Sequence, residues 1–288
     1  MSNNIVLGTA TQQNLLALQN INTQLGTTQG HLATGLAVSS ALDDAVKFFQ
    51  AQSLTNRADD LSMRKDAIAQ GIQSLTAATN GITSIISILQ QMEGIVNGAA
   101  TQTAAQRASA ATQFNTLGQQ LSTLLNDASY QGLNLVNSTA SNLTLQFSIT
   151  SSSTLKIKGQ NLLFSKLVTG GVAAKGSVAA TSLVTLKFSA VSNKISVFSK
   201  AYNSLQTAVF KAQAAAATLG TNVNFLQTRM SFTQAYMTTL NQGGSDLTVA
   251  DVNQESTNLV TLQTRQQLAL QSLSIATSSE QSVLRLFH

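Results

Sequence analysis

The stretch SDLTVADVNQESTNLVTLQTRQQLALQSLSIATSSEQSVLRLFH, residues 245–288, decides the fold of this chain. Side chains taken at alternating steps of three and four residues are mostly apolar here, which is the heptad spacing of a coiled-coil helix. This seam runs to the penultimate residue through Leu259, Leu262, Gln266, Ala269, Leu273, Ala276, Glu280, Val283 and Phe287. Because a helix end frays unless it is held down, we expect a partner, either the other end of the chain or another copy.

The amino-terminal segment carries a matching seam, formed by Leu18, Ile21, Leu25 and Leu32. No Lys or Arg precedes Lys47, and the only acids before it are Asp43 and Asp44. Amides and hydroxyls can be buried once they are hydrogen-bonded, whereas charges cost far more. A hairpin of two helices within one chain would use both seams, but charge depletion at both ends favours packing between chains. The predicted self-assembly core is Leu18, Ile21, Leu25, Leu32, Leu259, Leu262, Leu273, Val283 and Phe287.

Further apolar periodicities predict long helices over residues 68–96, 110–128 and 191–240. The chain has no Pro, so the commonest helix breaker is absent. Gly98 and the pair Gly243–Gly244 are the predicted helix breaks, with a restart at Ser245 and Asp246. The predicted fold class is mainly α, a long antiparallel helical coiled-coil bundle formed by the N- and C-terminal arms.

The middle of the chain predicts a small β-rich insertion. Apolar side chains alternate with polar ones in LTLQFSIT (143–150), STLKIKG (153–159) and LVTLKF (183–188), which is the period of a strand. The predicted domain organisation pairs the ends: one helical domain from 1–45 and 245–288, a second helical domain from 46–140 and 190–244, and a small β-rich insertion at 141–189.

Positive charge is concentrated in the same region. No acidic residue lies between Asp127 and Asp246, while that interval holds nine Lys and Arg residues. Solubility and mutual repulsion are the simpler explanation. The alternative hypothesis is an anionic-surface binding site formed by Lys156, Lys158, Lys166, Lys175 and Lys187, whose affinity should fall steeply with salt.

Catalysis finds little support in the sequence. The chain has no Cys, and its only histidines are His31, which we expect to be a satisfied turn residue, and His288. Neither a zinc-protease motif nor a nucleotide-binding glycine loop occurs. The acidic pairs Asp43–Asp44 and Asp59–Asp60 have no His or Cys nearby, so we expect them to serve helix N-termini or to contact Arg57 and Arg64. We predict no enzyme activity, no cofactor, no metal, no nucleic-acid binding and no membrane span.

Three segments resemble bacterial flagellin. HLATGLAVSSALDDAVKFFQAQSL (31–54) is similar to its N-terminal signature, and ASYQGLNLV (128–136) to the segment that closes its N-terminal helical region. ADVNQESTNLVTLQTRQQLALQSLSIATSSEQSVLRLF (250–287) is similar to its C-terminal signature. The resemblance covers roughly residues 1–140 and 190–288, in the right order and spacing.

The resemblance implies a structural subunit that self-assembles into the extracellular filament of the bacterial flagellum, after export unfolded through a type III channel. It implies a homo-polymer, with flagellar cap and junction proteins and an export chaperone as further partners. It also implies coupled folding, with both ends largely disordered until a subunit is added. A hook–filament junction protein, or a flagellin-like surface adhesin that binds anionic polymers, is the alternative.

One departure from the family concerns recognition by the host Toll-like receptor 5 (TLR5). Many flagellins carry an Arg-rich segment of the form LQR-x-REL, where this chain has LQQMEGI at residues 89–95. Gln91 and Glu93 replace two cations, and Gly94 replaces an acid. Charge-assisted contacts are worth roughly 1.5–3 kcal/mol each. We therefore predict weak activation of this receptor.

Overall fold

A computed structural model describes residues 9–148, 153–167 and 195–286 of the chain. Its elements, in chain order, are α1 (Thr9–Thr34), α2 (Ala45–Ala99), α3 (Ala104–Asp127), β1 (Ser129–Tyr130), β2 (Leu133–Asn134), β3 (Asn142–Gln146), β4 (Thr154–Lys158), α4 (Phe164–Leu167), α5 (Ile195–Thr248) and α6 (Val252–Leu286). Long helices that pack against each other and a small strand-containing insertion confirm the predicted mainly α fold class.

Contacts divide the chain into two units. Unit 1 is formed by residues 1–58 and 238–288, and unit 2 by residues 59–237. The dividing points fall inside α2 and α5. The finer boundaries predicted at 45, 140, 189 and 244 stay a prediction.

The core of unit 2 is built from apolar side chains of α2, α3 and α5. One cluster includes Ile68, Leu75, Ile82, Leu89, Phe114, Leu121, Leu205 and Leu219, all fully buried. Each such side chain contributes about 1.5–3 kcal/mol relative to an exposed one. The start of α3 is fixed by a capping box, in which Thr103 and Gln106 each satisfy the other's backbone N–H. By length and composition α2 could also cross a membrane, but a core helix passes the same test, and much of α2 is buried in this cluster.

The described residues of unit 2 also form two hairpins. Strands β1 and β2 are joined by Gln131 and Gly132, whose φ angles are 49° and 80°, the left-handed values of a type I′ turn. The side chain of Asn134, in the motif ASYQGLNLV, is buried and holds the segment through hydrogen bonds. Its side-chain N–H groups donate to the carbonyl of Leu125, and its Oδ1 accepts from the backbone of Val136. Every polar atom of this buried amide is thus paired, as burial requires.

Strands β3 and β4 pair antiparallel, with Leu143 opposite Ile157 and Thr144 opposite Lys156. Leu145 and Ile157 are buried and join the core of unit 2. Two of the three predicted strands are therefore confirmed, in shortened form. The third, at 183–188, lies outside the described residues.

Unit 1 contains the paired helices α1 and α6. Helix α1 ends where Gly35 adopts a φ of 72°, a left-handed conformation that suits glycine. Beyond it, the backbone N–H of Ala37 donates to the carbonyl of Thr248, and that of Ala250 to the carbonyl of Gly35. Asp251 then caps the new helix by accepting from the N–H groups of Asn253 and Gln254.

The predicted helix break at Gly243–Gly244 is wrong. Helix α5 continues to Thr248, and α6 begins at Val252. A Cβ atom on Gly244 would lie 3.5 Å from the carbonyl oxygen of Ala51 and 3.6 Å from Oγ1 of Thr55. A Cβ at these distances would make ordinary van der Waals contact, so the packing of α5 on α2 does not depend on the missing side chain, but it outweighs the roughly 1 kcal/mol helix cost of glycine.

Candidate assembly surface

Helices α1 and α6 lie antiparallel within one chain. Three side-chain contacts show the direction, because the residue numbers on α1 rise while those on α6 fall. They join Asn14 to Ser272 at 3.4 Å, Asn22 to Gln266 at 2.7 Å, and His31 to Glu255 at 3.0 Å. Two of the three are bonds between uncharged side chains, in keeping with a helix α1 that carries no Lys, Arg, Asp or Glu.

The two predicted seams contribute to this pair of helices. Leu262 is buried, with 8% of its surface exposed. The remaining seam leucines and isoleucine that the structure describes are half-buried: Leu18, Ile21, Leu25, Leu32, Leu259 and Leu273. The side chain of Val283 and all of Phe287 lie outside what the structure describes. Pairing inside one chain is thus present, although sequence reasoning favoured contacts between chains. The assembly role of these residues stays a prediction.

His31 has a partner that the sequence did not reveal. Its Nδ1 lies 3.0 Å from Oε1 of Glu255, and the two side chains are 25% and 17% exposed. Both line a cleft of about 440 Å³ between α1 and α6, whose other residues include Thr27 and Arg265. The expectation of a satisfied residue fits this contact, but His31 lies in the last turn of α1 rather than in a turn between elements.

A second set of apolar residues on the same helices is exposed. On α6 these are Val252, Val260, Leu268, Leu270 and Ile275, between 50% and 65% exposed, and on α1 they are Leu15 and Leu16. Ile275 follows the seam residue Leu273 by two positions, which is about 200° around a helix, so it lies on the opposite side. Leu268 and Ile275, which share one face of α6, form an exposed stripe that the predicted heptad seam does not include. The signal was present, since Leu268 and Ile275 are themselves seven residues apart.

The segment before α2 is held by its two aspartates. Oδ2 of Asp43 accepts hydrogen bonds from the backbone and hydroxyl groups of Ser39 and Ser40, at 2.9–3.2 Å. These bonds lower the pKa of Asp43, the hydroxyl of Ser39 having the largest effect. Asp44 caps α2 through the N–H groups of Val46 and Lys47. The predicted helix N-terminal role thus fits Asp44, whereas Asp43 binds the turn that precedes the helix. Asp59–Asp60 lies inside α2, away from its end.

The predicted anionic-surface lysines are partly described. Lys156 and Lys158 are exposed on either side of the buried Ile157, so both side chains leave β4 on the same face. Lys166 is exposed on α4, while Lys175 and Lys187 lie outside the described residues. No ion pair to any of the three described lysines occurs within the parts of the chain that the structure describes.

The segment predicted to weaken receptor recognition lies on α2. Leu89 and Met92 are buried in the core, while Gln91 is exposed. Glu93 is half-buried, its Oε1 has no hydrogen-bond partner among the described residues, and burial raises its pKa. An acid therefore takes the place of an expected cation at a partly desolvated position.

Comparison with known proteins gives the family. The family model described as the bacterial flagellin N-terminal helical region matches residues 5–141, and the one for the C-terminal helical region matches residues 202–287. Flagellin FljM of Caulobacter vibrioides is 30% identical over 286 residues, and flagellin FljO of the same organism is 29% identical over 286 residues. The flagellin of Brucella melitensis is 26% identical over 273 residues, and each of the three alignments covers 95% of both chains.

Among solved structures, the chain is similar to Bacillus cereus flagellin, with a TM-score of 0.46 and 19% identity over 58% of this chain and 88% of that one. The relatives confirm the predicted filament subunit, and nothing in them favours a junction protein or an adhesin. The family is structural, which points away from an enzyme. With both terminal regions matched and a 30% identical relative covered almost end to end, the chain belongs to the bacterial flagellin family.

Proposed function

We propose that this chain polymerises into the flagellar filament through the faces of α1 and α6 that their pairing leaves uncovered. One observation carries the proposal: the two helices pack together and still expose a stripe that includes Leu268 and Ile275, 60% and 65% exposed. Exposed apolar side chains that share one face can mark an interaction site, and Leu268 and Ile275 are seven residues apart on one face of α6. A second subunit of the same kind is the partner that the family supports.

The intrachain seam and the exposed stripe have different tasks in this proposal. The seam, with Leu262 at its centre, pairs α1 with α6, and the polar contacts Asn14–Ser272 and Asn22–Gln266 fix the register of the pair. The exposed stripe is then buried against neighbouring subunits. Ordering both ends of the chain costs conformational entropy, and burial of the stripe in the filament supplies the compensating free energy.

Truncation tests the proposal. Removing residues 260–288 takes away most of α6, so the remaining chain should keep the helical core of unit 2 but fail to polymerise. Circular dichroism and sedimentation after seeding measure the two properties separately. Long filaments formed by the truncated chain would overturn the proposal, since the stripe and half of the seam would then be dispensable.

The finer aspects of the function rest on family membership. We propose that the chain is exported unfolded through the flagellar type III channel with the help of a chaperone, and that it works outside the cell. Cap and junction proteins would contact it at the two ends of the filament. Secretion assays in a strain that lacks the export apparatus test this, because intracellular retention is the expected result.

We further propose that the filament binds anionic polymers weakly through its insertion. The supporting observation is that Lys156 and Lys158 share one exposed face of β4, opposite the uncharged Thr144 and Asn142. A filament repeats this face once per subunit, and repetition raises avidity without new contacts. Lys166, Lys175 and Lys187 complete the proposed set.

A further inference from the structure

One face of α5 carries a cation held between aromatic rings. The guanidinium of Arg229 lies over the ring of Phe147 at 5.1 Å and over that of Phe232 at 5.0 Å. Phe232 is 55% exposed and stacks on Tyr236, with ring centroids 6.0 Å apart. Phe225, 49% exposed, meets Phe147 edge-on at 6.1 Å. The four side chains that belong to α5 follow one another at steps of four, three and four residues, so they share one face of the helix.

The charge of Arg229 is not matched within its own chain. Its Nε is buried without a hydrogen-bond partner, and no ion pair joins its guanidinium to another residue that the structure describes. A guanidinium is always charged, and its planar fork of N–H donors fits a carboxylate. Because two rings already hold the group in place, a partner would pay little to order it. Arg229 is therefore a preformed site for a carboxylate.

The stretch of α2 that opens unit 2 carries a face of opposite charge. Asp59 and Asp66 are exposed, and Met63 between them is 64% exposed. Spacings of four and three residues place these three side chains on one face of α2. Asp60 is half-buried, and Arg57 lies about 200° around the helix from Asp59. Neither of the exposed aspartates forms an ion pair within the described parts of the chain.

The two remaining cations of this stretch are engaged elsewhere. Nη1 of Arg64 donates to Oε1 of Gln146 at 3.3 Å, and Nζ of Lys65 donates to Oε1 of Gln234 at 3.0 Å. Both acceptors belong to the side of unit 2 that carries Arg229, since Gln146 precedes the ring beneath that guanidinium and Gln234 is a residue of α5. The α5 face is thus basic, while the α2 face keeps its negative charge.

We propose that the α5 face docks on the α2 face of a second copy of the chain, with Arg229 paired to Asp66. The proposal rests on the proposed filament function and names one of its contacts. Opposite charge selects this occupant, and the spacing agrees: Arg229 and Phe232 are three residues apart on α5. Asp66 and Met63 are also three residues apart on α2, in the reverse order.

An antiparallel arrangement therefore satisfies both pairs at once. With Asp66 against Arg229, the thioether of Met63 lies on the exposed ring of Phe232, which is a favourable sulfur–aromatic contact. The contact buries side chains that the single chain leaves more than half exposed. The two faces use different residues, so one subunit can bind a neighbour through each of them.

Charge exchange tests the pairing. Asp66→Arg should raise the critical concentration for polymerisation roughly 30-fold or more, because like charges then face each other. Adding Arg229→Asp to the same chain should reverse most of that rise, since the pair forms again with its charges exchanged. The matched control, Asp127→Arg, makes the same charge change at another exposed position of unit 2 and should leave the critical concentration unchanged. Thermal melting of the unpolymerised chains checks the fold, and Asp66→Arg should melt as the natural chain does.

Cross-linking tests the register without altering Arg229, and the natural chain contains no Cys to interfere. Met63→Cys and Phe232→Cys chains are mixed, and a short bis-maleimide is added before or after polymerisation. We expect mixed dimers in the filaments and none in the unpolymerised mixture. The control pairs Met63→Cys with Phe210→Cys, an exposed residue about 33 Å from position 232 along α5, and should give no mixed dimer.

Polymerisation of the Asp66→Arg chain at the natural critical concentration would overturn the contact and leave the filament function intact. Filaments without the cross-link between positions 63 and 232 would do the same. A folded double variant that polymerises no better than Asp66→Arg alone would also refute the pairing with Arg229. Failure of the natural chain to polymerise would instead overturn the filament function and this contact together.

Discussion

Replacing Leu268 and Ile275 together by Ser should raise the critical concentration for polymerisation without destabilising the monomer. The two side chains are 60% and 65% exposed, so the single chain buries little of either. Full burial is worth about 1.5–3 kcal/mol per side chain, and assembly can supply only the exposed fraction, roughly 1–2 kcal/mol each. The pair should therefore contribute about 2–4 kcal/mol to each subunit addition, which is roughly a 30- to 1,000-fold change in critical concentration.

The assay is seeded elongation followed by sedimentation, with the soluble fraction at equilibrium as the readout. Circular dichroism and thermal melting of the unpolymerised chain serve as the folding check. Leu262→Ala is the matched control, since Leu262 is buried in the α1–α6 pair and its loss weakens the pair itself. A double variant that polymerises at the natural critical concentration would refute the reasoning, because the exposed stripe would then face solvent in the filament.

Three further predictions concern one side chain or a pair of neighbouring side chains. Asp43→Asn should lower the melting temperature at neutral pH. Hydrogen bonds lower the folded-state pKa of Asp43, so its contribution to stability is present above the ordinary pKa of about 3.9 and is lost as the pH falls further. The melting temperatures of the two chains should therefore converge at low pH. Lys156→Ser with Lys158→Ser should reduce binding of filaments to a soluble acidic polysaccharide at low salt, and equal binding of the natural filament at low and high salt would contradict the proposed site. Gln91→Arg with Glu93→Arg should increase signalling through TLR5 by monomeric protein in a reporter-cell assay, and strong signalling by the unaltered chain at ordinary doses would show that the prediction is wrong.

Long-range periodicity made most of the fold predictable. Apolar side chains at three- and four-residue steps identified the helices that became α2, α3, α5 and α6, because in a chain without Pro nothing interrupts such a pattern. Strands β3 and β4 were equally predictable from the alternation of apolar and polar side chains, because Leu145 and Ile157 pack into a common core.

Local rules failed where tertiary packing outweighed them. Gly243 and Gly244 are helix breakers by propensity, yet they lie within α5 because its packing on α2, at Ala51 and Leu54, outweighs that propensity. The hairpin at Gln131–Gly132 was hidden because each of its strands has only two residues, too few to show a period.

The candidate site was predictable in part. The heptad seams named the residues that pair α1 with α6, but a one-dimensional pattern cannot say whether two seams meet within a chain or between chains. The His31–Glu255 contact joins residues 224 apart in sequence and had no local signal. The exposed stripe, with Leu268 and Ile275, needed the fold to show which apolar side chains the chain leaves uncovered.

Electron cryo-microscopy of the polymerised, purified chain tests the central claim most directly. We expect long tubular filaments in which α1 and α6 of each subunit pair as they do in the single chain, with Leu268 and Ile275 buried against neighbouring subunits. Short rings, persistent monomers, or filaments whose α6 stripe faces open solvent would contradict it.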